Sequence, residues 1–255
     1  MALKRENQAN RQKEHWQPPP CIALSGLRRF FDLQAGTVWN DLVPLLAKAE
    51  GTLLDAGCGA QPYRPLLPPG VRYIGIDQLS AEADFGYKTP HTIYYSGDRW
   101  PVENGVADTI LATETLEHVR DPRGFIAEAF RCVKGGGRLI LTVPFSARWH
   151  YIPRDYFRYT PSGLNMLLAE SGFTDVEIYA RGNSVTVASL KCMALALPFL
   201  IPQADSLFER FAYMMAGALM LPWFLFFSVL GNISLAFAGG DDCLGYTAVA
   251  RKPKS

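Results

Sequence analysis

The sequence lacks an excess of charge of either sign, because 25 Lys and Arg residues stand against 24 Asp and Glu residues and the net charge is +1. A protein that holds DNA or RNA by its phosphates needs a basic field to do so. We therefore expect no nucleic-acid partner for this chain.

Cysteines are few, and they lack any pattern typical of a zinc site or a disulfide framework. The five are odd in number, without CxxC or Cys/His pairing, at Cys21, Cys58, Cys132, Cys192 and Cys243. This usage is typical of a reducing compartment, so we expect a cytoplasmic protein, and we expect no metal site. Cys58 lies in a glycine turn, where a small residue filling the turn is a better interpretation than a nucleophile.

The beginning of the chain lacks the apolar stretch of a signal peptide. Residues 1–20 are polar and end in three prolines, so we expect a disordered tail there. The rest is long enough for one α/β domain with an elaboration, and 49% hydrophobic residues allow a sizeable core.

The main motif present is LLDAGCGA, at residues 53–60, which predicts a buried strand that ends in a glycine turn. Gly57 and Gly59 have no Cβ, so they can take positive φ and let a ligand lie against bare backbone. We expect a helix to follow and to present its N-terminal amides to that ligand. Asp55 is placed to order the loop or to accept from a cationic ligand. A dinucleotide fingerprint would need a third glycine, and Ala60 stands instead.

A second predicted strand, residues 71–76, ends in Asp77. This acid lies about 20 residues beyond the glycines, where a carboxylate can accept from both ribose hydroxyls of a nucleoside. Strand, glycine turn, helix, strand and acid together predict one nucleoside site.

With these motifs and LEHVRDP at residues 116–122, the chain resembles the class I S-adenosylmethionine-dependent methyltransferases over residues 52–173. The resemblance implies a Rossmann-like, doubly wound α/β fold with seven mostly parallel strands and an antiparallel last strand. It implies a methyltransferase enzyme with S-adenosyl-L-methionine as its cofactor, acting on oxygen or nitrogen. It also implies that Asp98, after the third strand, accepts from the adenine amino group.

A polar segment, TETLEH, leaves the sheet at the carboxyl end of the fourth predicted strand. Ligands of open α/β sheets bind at that edge. Thr113 and Glu114 are therefore predicted to contact the cofactor. Glu117 and His118 are candidates for substrate contact or proton transfer, and the alternative is that they brace the helix that follows.

A second polar segment, residues 146–161, follows the fifth strand and is interpreted as the substrate loop. His150 is the first choice for a general base. Arg158 is predicted either to contact substrate or to tie the loop to Asp155 and backbone carbonyls. Further substrate candidates are Tyr63, which could instead be a rim residue, and Arg154, Tyr156 and Tyr159. The loop is similar to a pattern in methyltransferases of polysaccharide and glycolipid functions, which implies a small-molecule, glycan or lipid-linked acceptor.

Residues 182–243 interrupt the domain before its last strand, leaving 21–181 and 244–255 as the predicted methyltransferase domain. Residues 211–240 contain no charged side chain and no histidine, and this exceeds the roughly 20 apolar residues that span a bilayer. Ser206 and Glu209 form a capping-box pattern before this run. We therefore predict a hydrophobic helical hairpin.

Three interpretations of the hairpin stay open. A membrane hairpin, contacting lipid through residues 184–238, would leave Arg181, Arg251 and Lys252 on the cytoplasmic side. An in-plane anchor accommodates Lys191 better. A lid on the pocket, or a homodimer surface, would bury the same residues in protein. The alternative to an enzyme is a non-catalytic binding or scaffold protein that keeps the cofactor fold at a membrane.

Overall fold

The protein is described by a computed structural model over residues 26–85, 88–151, 153–201, 206–237 and 239–254. The tail predicted for residues 1–20 lies outside the described residues, as does Cys21.

One sheet organises the fold, with strands β1 (Thr52–Ala56), β2 (Arg72–Gln78), β3 (Thr92–Tyr95), β4 (Ala107–Thr113), β5 (Val133–Pro144), β6 (Thr174–Arg181) and β7 (Gly245–Arg251). Their order across the sheet is β3-β2-β1-β4-β5-β7-β6. All neighbouring pairs are parallel except those of β7, which is antiparallel to β5 and β6. The predicted Rossmann-like fold with an antiparallel last strand is confirmed. Its strand order reverses between β1 and β4, where such sheets bind ligands.

The helices are α1 (Gly26–Phe31), α2 (Leu33–Leu46), α3 (Ala81–Phe85), α4 (Pro122–Cys132), α5 (Pro161–Glu170), α6 (Ser184–Leu200) and α7 (Leu207–Ser234). Several of these helices begin where a side chain accepts from a free backbone amide. Asp121 accepts from Gly124 N at 3.1 Å, and Thr160 accepts from Gly163 N at 3.2 Å. Ser206 and Glu209 form the predicted reciprocal cap of α7.

The central strands are covered on both faces, as their continuous apolar runs require. One face carries Ile110, Leu139 and Leu141 against α4 and α5. The other carries Leu53, Leu111 and Ile140 against the apolar stripe of α2. The apolar stripe of α2 therefore packs over the middle strands of the sheet.

No α-helix follows the glycine turn within the described residues, contrary to the prediction. A single 3-10 turn, Arg64–Leu66, stands there instead. Pro62, Pro65, Pro68 and Pro69 lack the backbone N–H that a helix uses, so the segment cannot continue one.

The three glycines at 135–137 belong to the start of β5 rather than to a turn after α4. Gly136 N donates to Lys252 O at 2.9 Å, and Lys252 N donates to Gly137 O at 3.0 Å. These bonds extend the sheet toward the end of the chain, so the glycine run is paired as a strand.

Between β6 and β7, helices α6 and α7 pack against each other as a hairpin. At its base, Asn183 Nδ2 donates to Ser234 O at 2.8 Å, and the hydroxyls of Thr186 and Ser234 are 2.6 Å apart. Near its tip the helices approach so closely that a Cβ on Gly217 would lie 2.6 Å from the carbonyl oxygen of Phe199.

The later part of α7 is docked on the body of the protein. Phe224 stacks on Phe31 with ring centroids 5.5 Å apart, and Asn232 Nδ2 donates to Phe30 O at 2.9 Å. Earlier in the hairpin, Phe208 is 81% exposed and Leu219 is 75% exposed. The segment Phe211–Ser234 is long and apolar enough to cross a membrane. Of an apolar stretch of 18 residues within it, 17% is buried inside the protein.

Candidate cofactor and acceptor site

The glycine turn after β1 has the predicted backbone conformation. Gly57 and Gly59 have φ of +74° and +51°. The amides of Gly57 and Cys58 donate to Ile76 O, at 2.9 and 3.2 Å, which ties the turn to the end of β2. A Cβ on Gly57 would lie 2.3 Å from Cγ2 of Thr115, so only glycine fits. Thr115 was not predicted as part of this site.

Cys58 belongs to the packing of the turn, as interpreted from the sequence. It is buried, and burial raises the pKa of its thiol to about 12. A thiol with such a pKa is not a nucleophile near neutral pH.

Asp77, at the end of β2, has a carboxylate fixed by two backbone amides. Its Oδ2 accepts from Gly59 N at 3.0 Å, and its Oδ1 accepts from Gln78 N at 2.8 Å. Burial raises the pKa of this carboxyl. Each oxygen keeps a second lone pair, which suits acceptance from a pair of ribose hydroxyls.

Asp98 lies three residues beyond the end of β3 and is exposed. The turn that carries Asp98 is joined to the residue after Asp77, because Gln78 Nε2 donates to Gly97 O at 3.3 Å. The two acids predicted to hold the nucleoside therefore stand on neighbouring strand ends.

Asp55 is fully buried beneath the glycine turn. Its Oδ2 accepts from the hydroxyl of Tyr73 at 2.8 Å, and burial raises the pKa of the carboxyl to about 7. Its Oδ1 has no hydrogen-bond partner among the described residues. The predicted role, acceptance of a hydrogen bond from a ligand, would use this oxygen. The contact of Tyr73 with Asp55 was not predicted from the sequence. The one indication of it is that Tyr73 and Gly75 lie two residues apart in β2, on the same face of the strand.

Glu114, predicted to contact the cofactor, is committed to a buried ion pair. It has a positive φ of +48°, and its amide donates to Thr142 O at 3.0 Å. Its Oε1 lies 2.7 Å from an Arg181 guanidinium nitrogen, and its Oε2 accepts from Gln34 Nε2 at 3.1 Å. The backbone carbonyl of Thr113 accepts from the hydroxyl of Thr115 at 3.0 Å.

Arg181, which a membrane hairpin would leave on the cytoplasmic side, is buried at the base of the hairpin. The residue is 2% exposed. Besides Glu114, it donates to Val143 O at 2.9 Å, and Thr37 Oγ1 lies 3.5 Å away. It joins α2 and the ends of three strands at the ligand-binding edge. In the sequence, the one indication of this role is that Arg181 is the last residue of a strand.

Glu117 and His118 lie in a 3-10 turn after β4, Leu116–His118. The Glu117 carboxylate is completely buried, and neither oxygen has a hydrogen-bond partner among the described residues. Burial raises the pKa of Glu117 well above its usual range. Burial also lowers the pKa of His118 to about 4. The two side chains approach each other, with His118 Nε2 3.6 Å from Glu117 Oε1.

The substrate loop is held over this turn by its backbone. The amides of Tyr156 and Phe157 donate to Glu117 O, at 2.8 and 3.3 Å. His118 Nδ1 lies 2.5 Å from Arg154 O, and the His118 and His150 rings meet edge to face with centroids 5.0 Å apart. The structure thus brings the two histidines together from different strand ends.

Within the loop, Arg158 forms the predicted fork onto Asp155. Its two terminal nitrogens lie 2.5 and 2.7 Å from the two carboxylate oxygens, and one of them also donates to Arg148 O at 3.2 Å. Burial raises the pKa of Asp155, but the bonds from Arg158 and His150 outweigh it and hold that pKa well below its usual range. His150 Nδ1 lies 2.9 Å from Arg148 O and 3.1 Å from Asp155 Oδ2.

The remaining substrate candidates are spread out. Tyr156 accepts from Arg120 Nε at 2.9 Å, near the surface. Tyr159 donates to Leu116 O at 3.3 Å and packs on the core. Tyr63 is 7% exposed and packs beneath α2, with its ring 6.3 Å from that of Trp39. Tyr63 is therefore not gathered with the loop.

Comparison with known proteins identifies the family. A family described as "Methyltransferase domain" matches residues 31–178, more than half of the chain, and the chain belongs to it. The resemblance to class I S-adenosylmethionine-dependent methyltransferases is confirmed. Two structural neighbours from Haemonchus contortus, both phosphoethanolamine N-methyltransferases, were solved with S-adenosylhomocysteine or S-adenosyl-L-methionine bound. The orphaned Asp55 oxygen, the fixed Asp77 carboxylate and the bare Gly57 backbone fit this cofactor.

A curated relative is an uncharacterized 37.1 kDa protein of transposon TN4556 from Streptomyces fradiae, 30% identical over 120 residues, or 43% of this chain. The match spans 34% of that relative. An S-adenosylmethionine-dependent methyltransferase of Archaeoglobus fulgidus has a similar structure, with 16% identity, TM-score 0.51, and coverage of 86% of this chain and 94% of its own. Phosphoethanolamine N-methyltransferase 2 of Haemonchus contortus has 18% identity, TM-score 0.50, and coverage of 85% and 53%. The chain thus spans about half of that enzyme, and these likenesses concern the fold.

Proposed function

We propose that this protein transfers a methyl group to an oxygen or nitrogen of a polar acceptor at a membrane surface, such as a glycan or lipid-linked headgroup. One observation carries the proposal. Lys191, on the first hairpin helix, donates from Nζ to Ser146 O at 2.6 Å, where the substrate loop begins. An apolar surface that suits lipid and a polar aromatic loop that suits a headgroup therefore adjoin.

The cofactor half of the site rests on backbone and buried acids. When bound, S-adenosyl-L-methionine supplies an electrophilic methyl group on a positively charged sulfur. Asp77 and Asp98 hold its nucleoside, and the Gly57 turn lets it approach the backbone. Asp55 offers a buried oxygen beneath the turn. These contacts orient the ligand, and orientation lowers the barrier of a group transfer.

His150 is the proposed proton acceptor of the reaction. A carbonyl and a carboxylate lie beside its Nδ1, so that nitrogen carries the hydrogen and Nε2 carries the lone pair. Asp155 orients the imidazole. In the same way, a third group orients the base in enzymes where a base activates a nucleophile. Arg158 keeps Asp155 ionised by its two-bond fork.

The chemistry is tested with His150→Gln, which we expect to lower turnover about a hundredfold, the usual range for a general base. Cofactor affinity, measured by calorimetry, should stay unchanged. His118→Gln is the matched control for the other imidazole. Equal activity in both variants and the wild type would mean that no histidine takes the proton. Cofactor binding without methyl transfer across a wide acceptor panel would favour the non-catalytic scaffold.

We also propose that the hairpin enters one leaflet rather than crossing the bilayer. Residues from Phe224 onward are occupied on one side by α1 and α2, so residues 208–223 project from the body. At 1.5 Å per residue this part reaches roughly 24 Å, less than the hydrocarbon core of about 30 Å. Both ends return to neighbouring strands, which suits an in-plane or shallow insertion.

Flotation with phosphatidylcholine vesicles tests the membrane contact. We expect the wild type to float with the vesicles and Leu219→Glu to reduce that fraction at least tenfold, since a charge at depth costs about 2.5 to 3.5 kcal/mol. Met166→Glu, an equally drastic change at an exposed residue of α5, is the control and should float normally. A wild type that stays with the aqueous phase as a dimer would instead assign the hairpin to a second copy.

A further inference from the structure

We infer that Glu117, His118 and His150 form a binding site for a divalent first-row transition ion of the zinc type. One ligand atom from each residue lies within 4.8 Å of the others. The three come from the ends of two adjacent strands, so the fold rather than a local sequence motif assembles them. This inference goes beyond the proposed methyl transfer.

The distances suit a small ion. Zinc bonds of about 2.0 to 2.1 Å in a tetrahedron place two ligand atoms about 3.4 Å apart. His118 Nε2 and Glu117 Oε1 are 3.6 Å apart, close to that value. The ligand atoms of all three residues lie within 4.8 Å of one another.

The buried carboxylate points independently to a ligand. Glu117 is 0% exposed, and both oxygens are without a hydrogen-bond partner among the residues that the structure describes. A buried carboxyl group without a hydrogen-bond partner is costly to keep. A cation bound between Glu117 and the imidazoles removes that cost, because it supplies the missing partner.

The histidines have the supporting contacts that metal ligands normally have. His118 Nδ1 donates to Arg154 O, and His150 Nδ1 donates toward Arg148 O, with Asp155 Oδ2 3.1 Å away. A carbonyl only accepts, so each Nδ1 carries the hydrogen and Nε2 carries the lone pair. Such bonds fix the tautomer and ring orientation of ligating histidines.

Two imidazoles and one carboxylate define the class of ion. This set suits zinc and neighbouring transition ions, whereas magnesium and calcium take oxygen ligands. Three protein ligands leave a position open for water or for an oxygen or nitrogen of the acceptor. An ion here would use the Nε2 lone pair of His150, so the imidazole either binds the ion or accepts the proton of the proposed reaction.

Metal binding is tested on the full chain, freed of metal with a chelator and titrated with zinc chloride in a calorimeter. We expect one ion per chain at this site. Glu117→Gln and His150→Gln should each weaken zinc binding tenfold or more, and Co²⁺ absorption bands should be lost with them. His91→Gln, at an exposed histidine outside the cluster, is the matched control and should bind zinc as the wild type does.

Zinc binding that is absent in the wild type, or unchanged in both cluster variants, would overturn the inference. Circular dichroism checks that each variant is folded. Should Glu117→Gln fail to fold, His150→Gln decides the question, since His150 lies on a partly exposed loop. Methyl transfer is not the readout, and titration of the same samples with S-adenosyl-L-methionine tests the cofactor site separately.

Discussion

The sheet and the hairpin of this chain treat apolar and charged side chains in opposite ways. In the sheet, apolar residues are buried, and the buried guanidinium of Arg181 is paired with Glu114. In the hairpin, residues 211–240 carry no charge, and many large apolar side chains face outward. Packing within one chain accounts for the sheet. The apolar side chains of the hairpin lack a cover among the residues that the structure describes.

The largest expected effect lies on the sheet side, at the glycine turn. Gly57→Ala should abolish measurable cofactor binding, because its Cβ would meet Thr115 at 2.3 Å in a left-handed backbone. Gly105→Ala is the matched control, since Gly105 also has positive φ but no atom lies within 4 Å of the added carbon. Titration calorimetry checks both. Equal affinity in the two variants would remove the turn from the site.

The second prediction concerns the buried ion pair at the junction of the two regions. Arg181→Met should lower the free energy of unfolding by about 3 kcal/mol, because it leaves Glu114 without its cation. Adding Glu114→Gln should recover part of the loss. Urea unfolding measures all three variants. A double variant no better than the single one would mean that Arg181 acts by packing rather than by charge.

The third prediction uses the buried acid beneath the glycine turn. The pKa of Asp55 is raised from 3.8 to about 7 in the folded chain, so the folded state binds its proton more tightly than the unfolded state does. Stability from this group is therefore complete at low pH and is lost as pH rises through 7. Between pH 5 and 8 the wild type should lose about 2 to 3 kcal/mol more than Asp55→Asn. Parallel stability curves in urea would contradict this.

The fourth prediction compares a Leu→Ala substitution in the sheet with the same substitution in the hairpin, where the smallest effect is expected. Leu139→Ala, in the sheet, should cost about 2 to 5 kcal/mol of unfolding free energy. Leu219→Ala, in the hairpin, should cost less than about 0.5 kcal/mol without vesicles, because its side chain is already exposed. A cost above about 1 kcal/mol for Leu219 that grows with protein concentration would reveal a second copy on that surface.

Features set by local chemistry could be predicted from the sequence. The capping pattern of Ser206 and Glu209 begins its helix as expected, and Gly57 and Gly59 have the expected positive φ. The expected helix after the glycine turn failed where the sequence itself argued against it, since four prolines follow within residues 62–69.

Features set by long-range packing could not be predicted. Arg181 follows an ordinary strand, and only the fold shows that its guanidinium reaches a glutamate 67 positions away. Glu117 and His150 each follow a strand end, which sequence analysis located, but their mutual distance depends on how the loop closes over the turn. The absence of charge in residues 211–240 is visible in the composition. The outward position of their large apolar side chains is visible only in the fold.

The hairpin leaves and re-enters the sheet at a single point. Arg181 and Gly245 are register partners, and Leu244 N donates to Arg181 O at 2.9 Å beside them. The sheet therefore holds the two ends of this segment together, and its length adds only a logarithmic entropic cost. Such a segment can be lengthened, shortened or exchanged between relatives without altering a strand, provided that the arginine at its root is kept. It can also open as its own cooperative unit, with amide hydrogens that exchange while those of the strands stay protected.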